Sequence, residues 1–308
     1  MSDQRSLCGL AALCMLGVVS HLGCGEPTSP QDADPNTLTF RTGAFEVPPG
    51  DVFECFYTDV ITDRELSVQS ATARQAVGGH HVTVYYTNVP QPPNHHPCRD
   101  EEMLEWQQVA GAGGDEVSGE GTVSLPDGLA TRIPAGKQIV TQSHYINTTG
   151  RTITVEDTVS IKLVDPSQVR AYANYFVVND ATFEVPVGMR TERTTTCTVP
   201  QDLQIVLLLG HMHANGRYYR LERLHEDRPA ELLYETGWQP IYESHPPITR
   251  FPVERPYLLP RGARLRQTCR WDNDTGQPLV FPREMCIAFM YYFPDMGSIF
   301  CRDVRPEQ

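Results

Sequence analysis

The chain has 308 residues, a formal net charge of −13 and nine cysteines. An acidic balance of that size leaves no basic stripe to meet phosphate, which excludes nucleic acid as a partner. The roughly 270 residues beyond the N-terminal segment exceed what one small core needs, so two domains are expected.

The first segment carries Arg5, an apolar run from Leu7 to Val19, then small residues and Cys24. That run is too short for a permanent bilayer span and reads as a secretion signal over residues 1–23. "HLGC" resembles the bacterial lipobox, with His21 in place of the usual aliphatic residue, and leaves two alternatives: a lipid on Cys24 or ordinary cleavage nearby. Both make the mature chain an exported one, in a bacterial cell envelope or secreted, touching a membrane only through a lipid anchor. "GEPTSPQDADPNT" follows, polar and proline-rich, and residues 24–38 read as a tether. Cys8, Cys14 and Cys24 fall within or end the signal; the other six, in an oxidising compartment, imply three disulfides.

The rest of the chain repeats itself. "FEVPPG" at Phe45–Gly50 returns as "FEVPVG" at Phe183–Gly188, and "IPAGKQIVTQSHYINTTG" at Ile133–Gly150 aligns without gaps on "LPRGARLRQTCRWDNDTG" at Leu259–Gly276. Each half also holds a histidine pair after a glycine, "GGHH" at Gly78–His81 and "GHMH" at Gly210–His213. Runs such as "VTVYYTNV", "TITVEDTVSIKLV" and "CIAFMYYF" are β-branched or aromatic and closely punctuated by proline and glycine. The best helical candidate, "EEMLEWQQVAGAG", is brief. The expected fold is all-β: two tandem antiparallel β-sandwiches, jelly-roll-like, over residues 39–179 and 180–308, with the boundary near Val178–Phe183.

His80, His81 and His144 lie on strand-like sequence in the first half. Neighbours on a regular strand face opposite ways, so His80 and His81 share an ion only across a bulge, which Gly78 and Gly79 permit. Three neutral imidazoles without a carboxylate suit copper or zinc rather than magnesium or calcium. His211 and His213, at i and i+2 of a strand, point to one side. Arg270 stands where the repeat would place a third histidine, so Met285 in "REMCIAFMYYF" is the expected third donor, a soft thioether that selects Cu(I).

Together, "HH" at His80–His81, "QSHY" at Gln142–Tyr145, "HMH" at His211–His213, and "EMC" at Glu284–Cys286 with "YY" at Tyr291–Tyr292 resemble the ascorbate-dependent type 2 copper monooxygenases. That family includes peptidylglycine alpha-hydroxylating monooxygenase and dopamine beta-monooxygenase, and the resemblance spans nearly all the mature chain. It implies two copper ions per chain: an electron-transfer copper on His80, His81 and His144, and an oxygen-activating copper on His211, His213 and Met285. It places Gln142 in the cleft between them, and implies disulfides Cys55–Cys98, Cys197–Cys301 and Cys269–Cys286. Leu209, Ile287 and Phe289 stand where the peptide-processing branch grips a substrate carboxylate, which points to a smaller or more apolar substrate, such as an aromatic amine.

Other residues carry plainer expectations. His225 and His245 read as surface or satisfied core residues, His95 and His96 as solvated in a proline-rich loop, and Met212 and Met290 as packing in the sheet. Tyr291 and Tyr292 are expected to pack or hydrogen-bond, "NTT" and "NDT" to be turns, and "DNDTG" to lack the glutamate of a calcium loop. The expected function is a monomeric oxidoreductase that hydroxylates a small molecule with dioxygen and ascorbate or a comparable one-electron donor. The alternative is a copper storage or delivery protein without catalysis. A zinc hydrolase ranks third, because no carboxylate neighbours either histidine group in the sequence.

Overall fold

β-Branched and aromatic runs, cut short by prolines and glycines, form strands along the whole chain. The structure, a computed structural model, describes residues 34–103, 105–114, 119–281, 283–301 and 305–306. The signal-like segment, Cys24 and the tether as far as residue 33 lie outside them. The first strands are β1 (Thr37–Arg41), β2 (Phe45–Val47), β3 (Gly50–Ile61), β4 (Leu66–Arg74), β5 (Gly79–Thr87) and β6 (Asn94–Pro97). A single helical turn, α1 (Asp100–Met103), precedes β7 (Trp106–Ala112), β8 (Glu120–Ser124) and β9 (Leu129–Ile133). The first half closes with β10 (Gln138–Asn147), β11 (Ile153–Val155), β12 (Thr158–Leu163) and β13 (Ala171–Tyr172).

The second half opens with β14 (Asn174–Asn179), β15 (Glu184–Val185), β16 (Arg190–Thr198), β17 (Leu203–His211), β18 (Gly216–Leu224) and β19 (Glu231–Gly237). After a 3-10 turn at Pro240–Glu243 come β20 (Thr249–Arg250), β21 (Tyr257–Leu259), β22 (Arg264–Asp272) and β23 (Leu279–Val280). β24 (Ile287–Phe293), β25 (Ile299–Phe300) and β26 (Arg305–Pro306) complete it.

Each half is a sandwich of two sheets, and the two halves share one topology. The order β1-β12-β4-β9 returns as β14-β24-β17-β21, and β3-β10-β5-β7 as β16-β22-β18-β19, almost entirely by antiparallel pairing. The repeated motifs hold each other. Asn147 donates to the carbonyls of Val47 (2.9 Å) and Arg151 (2.8 Å) while its oxygen accepts from Thr149. Asn273 does the same to Val185 (2.8 Å), Gln277 (2.9 Å) and Thr275. The Asn-x-Thr-Gly turn thus clamps the Phe-Glu-Val segment of its own half. The aromatic of each repeat covers the matching phenylalanine: Tyr145 against Phe45 at 5.9 Å, and Trp271 stacked on Phe183 at 4.7 Å. Gly136 and Gly262, the glycines of Pro-x-Gly, both have φ near +80°, a left-handed conformation that disfavours side chains.

Three expectations are corrected. The division falls earlier than Val178–Phe183: β14 pairs with β24 and β25, so its buried run Tyr175–Val178 belongs to the second sandwich. The helical candidate at Glu101–Gly113 becomes mostly strand β7, because pairing with β5 and burial of Trp106, Val109 and Ala112 outweigh a weak local preference. His95 and His96 lie on edge strand β6, paired with β3, rather than in a loop; His95 is exposed, as expected, and stacks on Phe56 at 5.0 Å, while His96 is half-buried and reaches Glu102.

Disulfides join Cys55 to Cys98, Cys197 to Cys301 and Cys269 to Cys286, as befits an oxidising compartment. Among the described residues no helix is long and apolar enough to cross a membrane. Residues 35–308 pack as one unit, with Leu125, Leu129 and Ala173 against Val206, Leu207 and Tyr291 at the junction of the halves.

Replacing either clamp takes the amide donor from one buried carbonyl, that of Val47 or Val185, at about 1–3 kcal/mol, whereas the Arg151 and Gln277 carbonyls keep the Thr149 and Thr275 hydroxyls as donors. Asn147→Ala and Asn273→Ala should each lower unfolding free energy by about 1–3 kcal/mol in chemical denaturation. A loss below about 1 kcal/mol would mean that these corners are held by something else.

Candidate metal centre

His80 owes its position to a bulge. β10 pairs His144 with His81 and then Tyr145 with Gly79, which leaves His80 as the extra residue on β5. Gly78, at φ +89°, and Gly79, whose added Cβ would lie 2.5 Å from that of Gln75, make the bulge possible. Both imidazoles then turn the same way, their Nδ1 atoms 2.7 Å apart. His144 joins them across the ladder, its ring 4.4 Å from that of His80 and 4.9 Å from that of His81.

His211 ends β17 and His213 follows it, with rings 5.2 Å apart. Gly210 before them touches Tyr219 so closely that an added Cβ would lie 2.4 Å from the ring. Instead of two pockets facing each other across a gap, the structure forms one cluster: His80 lies 5.5 Å from His211 and 5.4 Å from His213, ring to ring. Donor atoms of His80, His81 and His144 lie within 4.8 Å of one another, as do those of His80, His211 and His213. His80 belongs to both sets.

Hydrogen bonds select the lone pairs. His144 Nε2 meets Asp51 Oδ1 at 2.6 Å, which leaves Nδ1 buried without a partner among the described residues. His213 Nδ1 donates to the Arg283 carbonyl at 3.0 Å, and its Nε2 is likewise buried and unpaired. A ring that donates one N–H to a carboxylate or carbonyl keeps its other nitrogen as a ligand. Phe53 stacks on His144 at 3.8 Å and fixes its plane. Burial, then the neighbouring imidazoles, hold His80, His144 and His211 well below the usual histidine range; His81 falls to about 4, and His213 is lowered mainly by burial. The rings are neutral, the state that binds a metal.

Met285 precedes β24, whose register sets His211 opposite Ile287, and its backbone N–H shares Glu284 Oε1 with that of His213. Glu284 fixes that arrangement: its buried carboxylate accepts from the backbone N–H of His213 (2.5 Å), Met285 (3.0 Å) and Asn215 (3.2 Å). The Met285 side chain is half-buried against the cluster of Tyr175, Val177 and Ile287. Gln142 shares the His144 face of β10, but its oxygen accepts from Tyr85 and its amide points at Met103 Sδ, 2.9 Å away. It is held inside the first sandwich, where the resemblance implies a cleft residue.

Three carboxylates missed in the sequence surround the imidazoles. Asp51 orients His144, Glu284 braces the His213 loop, and Glu243, on the turn before β20, brings Oε1 to 3.7 Å from His80 Nε2. The absence of an acid beside the histidines, on which the low rank of a hydrolase rested, does not hold: these acids are distant in sequence and the fold gathers them. Glu284 alone is adjacent in sequence to an expected ligand, Met285. His245 also differs from its expectation; it bonds Ser244 Oγ at 2.9 Å through Nδ1 but buries Nε2 unpaired, beside Gly121. His225 is satisfied by Glu231 and Arg228, and Met212 and Met290 are core residues.

No protein-family model matches the sequence, and no curated protein matches it. Among solved structures the chain is similar to the major capsid protein P2 of bacteriophage PM2, with 10% identity, 80% of this chain and 99% of that one covered, and a TM-score of 0.34. It is also similar to oxalate decarboxylase of Bacillus subtilis, with 7% identity, 86% and 69% covered, and a TM-score of 0.23. At these scores neither bears on what the cluster does.

Asp51→Asn removes the charged partner of His144 and should weaken metal binding at the first-half histidines about 10–100-fold, read by chelator competition. The metal-free protein should also be most stable near neutral pH. Its five imidazoles are neutral when folded and return to about 6.5 on unfolding, so unfolding takes up protons and stability falls as pH drops below 6.5. Burial raises Glu284 to about 7 and Glu243 to about 9, so the stability from their folded-state protons is lost as pH rises through those values. A thermal midpoint that is flat from pH 5 to 9 would contradict both halves of this account.

Proposed function

We propose that this protein is an exported copper monooxygenase that hydroxylates a C–H bond of a small, largely apolar molecule with dioxygen and ascorbate or a similar one-electron donor. The observation that carries the proposal is the convergence of five neutral imidazoles, with Asp51 and the Arg283 carbonyl selecting the free nitrogens of His144 and His213, near the segment that carries Met285 ahead of β24. Unpaired buried ring nitrogens cost about 1–3 kcal/mol each, and a bound transition metal removes that cost. The donor set fits copper: all-imidazole in the first half, imidazole with the Met285 thioether in the second.

When bound, copper would supply one-electron transfer and dioxygen activation. The chain's part is positional. Asp51 and Phe53 fix the plane and tautomer of His144, the bulge at His80 aligns it with His81, and Glu284 holds the backbone of Met285 against that of His213. Tyr175 and Phe289, with ring centroids 5.8 Å apart, and Ile287 give the Met285 side an apolar, aromatic lining. Such a surface favours an uncharged, apolar substrate over a peptide carboxylate.

Met285→Ile keeps the packing volume but removes the sulfur. It should abolish ascorbate-dependent oxygen uptake, measured with an oxygen electrode across a panel of small aromatic substrates, while one equivalent of copper stays on His80, His81 and His144. Undiminished turnover in that variant would overturn the assignment. Copper binding by wild-type protein with no oxygen uptake on any substrate would favour the carrier, and robust turnover of a peptidylglycine would overturn the substrate class.

A further inference from the structure

We propose a divalent-metal position between the two halves, formed by His80 from the first and by His211, His213 and Glu243 from the second. It differs from both copper sites the resemblance implies, one of which keeps His80 with His81 and His144 while the other completes the second pair with Met285.

The geometry at Glu243 points there. Its side chain is about nine-tenths buried, one oxygen accepts from the Ala214 N–H, and Oε1 has no hydrogen-bond partner among the described residues. It faces His80 Nε2, equally buried and unpaired, at 3.7 Å. That is too long for a hydrogen bond. It is close to the span of two donors on one ion: metal–nitrogen and metal–oxygen distances near 2.1 Å put the donors roughly 3.4 Å apart at a tetrahedral angle and about 3.6 Å apart at 120°. The donor atoms of His211 and His213 complete the group with His80, all within 4.8 Å of one another. Three imidazoles and a carboxylate suit Zn(II) or Cu(II), whereas the Met285 thioether suits Cu(I).

Two glycines make the contact possible. A Cβ on Gly113 would lie 2.5 Å from the His80 carbonyl oxygen and 2.8 Å from that of Ser244, the neighbour of Glu243. A Cβ on Gly121 would lie 1.8 Å from the Gly113 carbonyl oxygen and 3.3 Å from His245 Nε2. The Glu243–His245 segment therefore lies directly on first-half backbone. A neutral imidazole has one lone pair, so His80 serves either this ion through Nε2 or the first-half ion through Nδ1.

The inference needs the metal centre but not oxygen chemistry, so zinc without reductant tests it apart from the monooxygenase. Chelator-stripped protein is titrated with Zn(II) against a competing chromophoric chelator, using wild type, Glu243→Gln, Glu243→Asp, His144→Ala and Met285→Ile. Glu243→Gln and Glu243→Asp should each weaken one zinc equivalent tenfold or more, and His144→Ala should spare that equivalent. Met285→Ile should leave zinc binding unchanged. Glutamine is isosteric, and thermal melting of each metal-free variant confirms that it is folded. Wild-type zinc affinity in folded Glu243→Gln would overturn the proposal, as would an equal loss of the same equivalent in Met285→Ile.

Discussion

The structure depends on burying neutral imidazoles at the seam between two sandwiches. Each ring nitrogen kept from water needs a partner, and the fold supplies one to only some of them: Asp51 to His144, the Arg283 carbonyl to His213. The lone pairs left over face inward at His80, His144 and His213. Unpaired they oppose folding, and a metal held there would favour it, because an ion would bind the folded cluster and not the open chain. Metal affinity and the cohesion of the two halves are therefore one free energy read in two ways.

Duplication explains why such a seam can exist. Two sandwiches of the same strand order present equivalent connections, β4 to β5 and β17 to β18, toward each other. The histidine pairs use these connections differently: His80 and His81 open the strand after the loop, whereas His211 closes the strand before it. The repeat thus fixes the scaffold but not the ligands. Arg270, at the position of His144, is instead engaged on an outer sheet, paired with Glu192 and laid over Tyr218. The second half therefore takes its further ligands from outside the repeat pattern.

What the sequence made legible follows from the range over which each signal acts. The strands, the clamp of Asn147 and Asn273 onto the Phe-Glu-Val segments, and the bulge allowed by Gly78 and Gly79 are written in local pattern or repetition, and each could be read from a few residues. The closing of five histidines into one group could not, because His80 and His211 come together through packing between the halves, at Leu125, Leu207 and Tyr291 among others. Asp51 and Glu243 were silent for the same reason: Asp51 stands 93 positions from His144 in the chain, and nothing in "PPGD" or "PIYES" marks either carboxylate as a partner of imidazole. The Trp106–Ala112 segment departs from its helical expectation because short runs of mixed polarity fit helix and strand alike until a neighbouring strand, here β5, decides.

Hardness gives the cluster its direction. Two unlike side chains stand near the second-half pair: the thioether of Met285, whose backbone Glu284 ties to that of His213, and the carboxylate of Glu243, anchored by Ala214. An ion that changes oxidation state changes its preference between them, since Cu(I) favours the thioether and Cu(II) the carboxylate. In the proposed arrangement Glu243 would bring His80 with it, so an ion that prefers the carboxylate would tie the two halves together, whereas one that prefers the thioether would be held by residues of the second half alone.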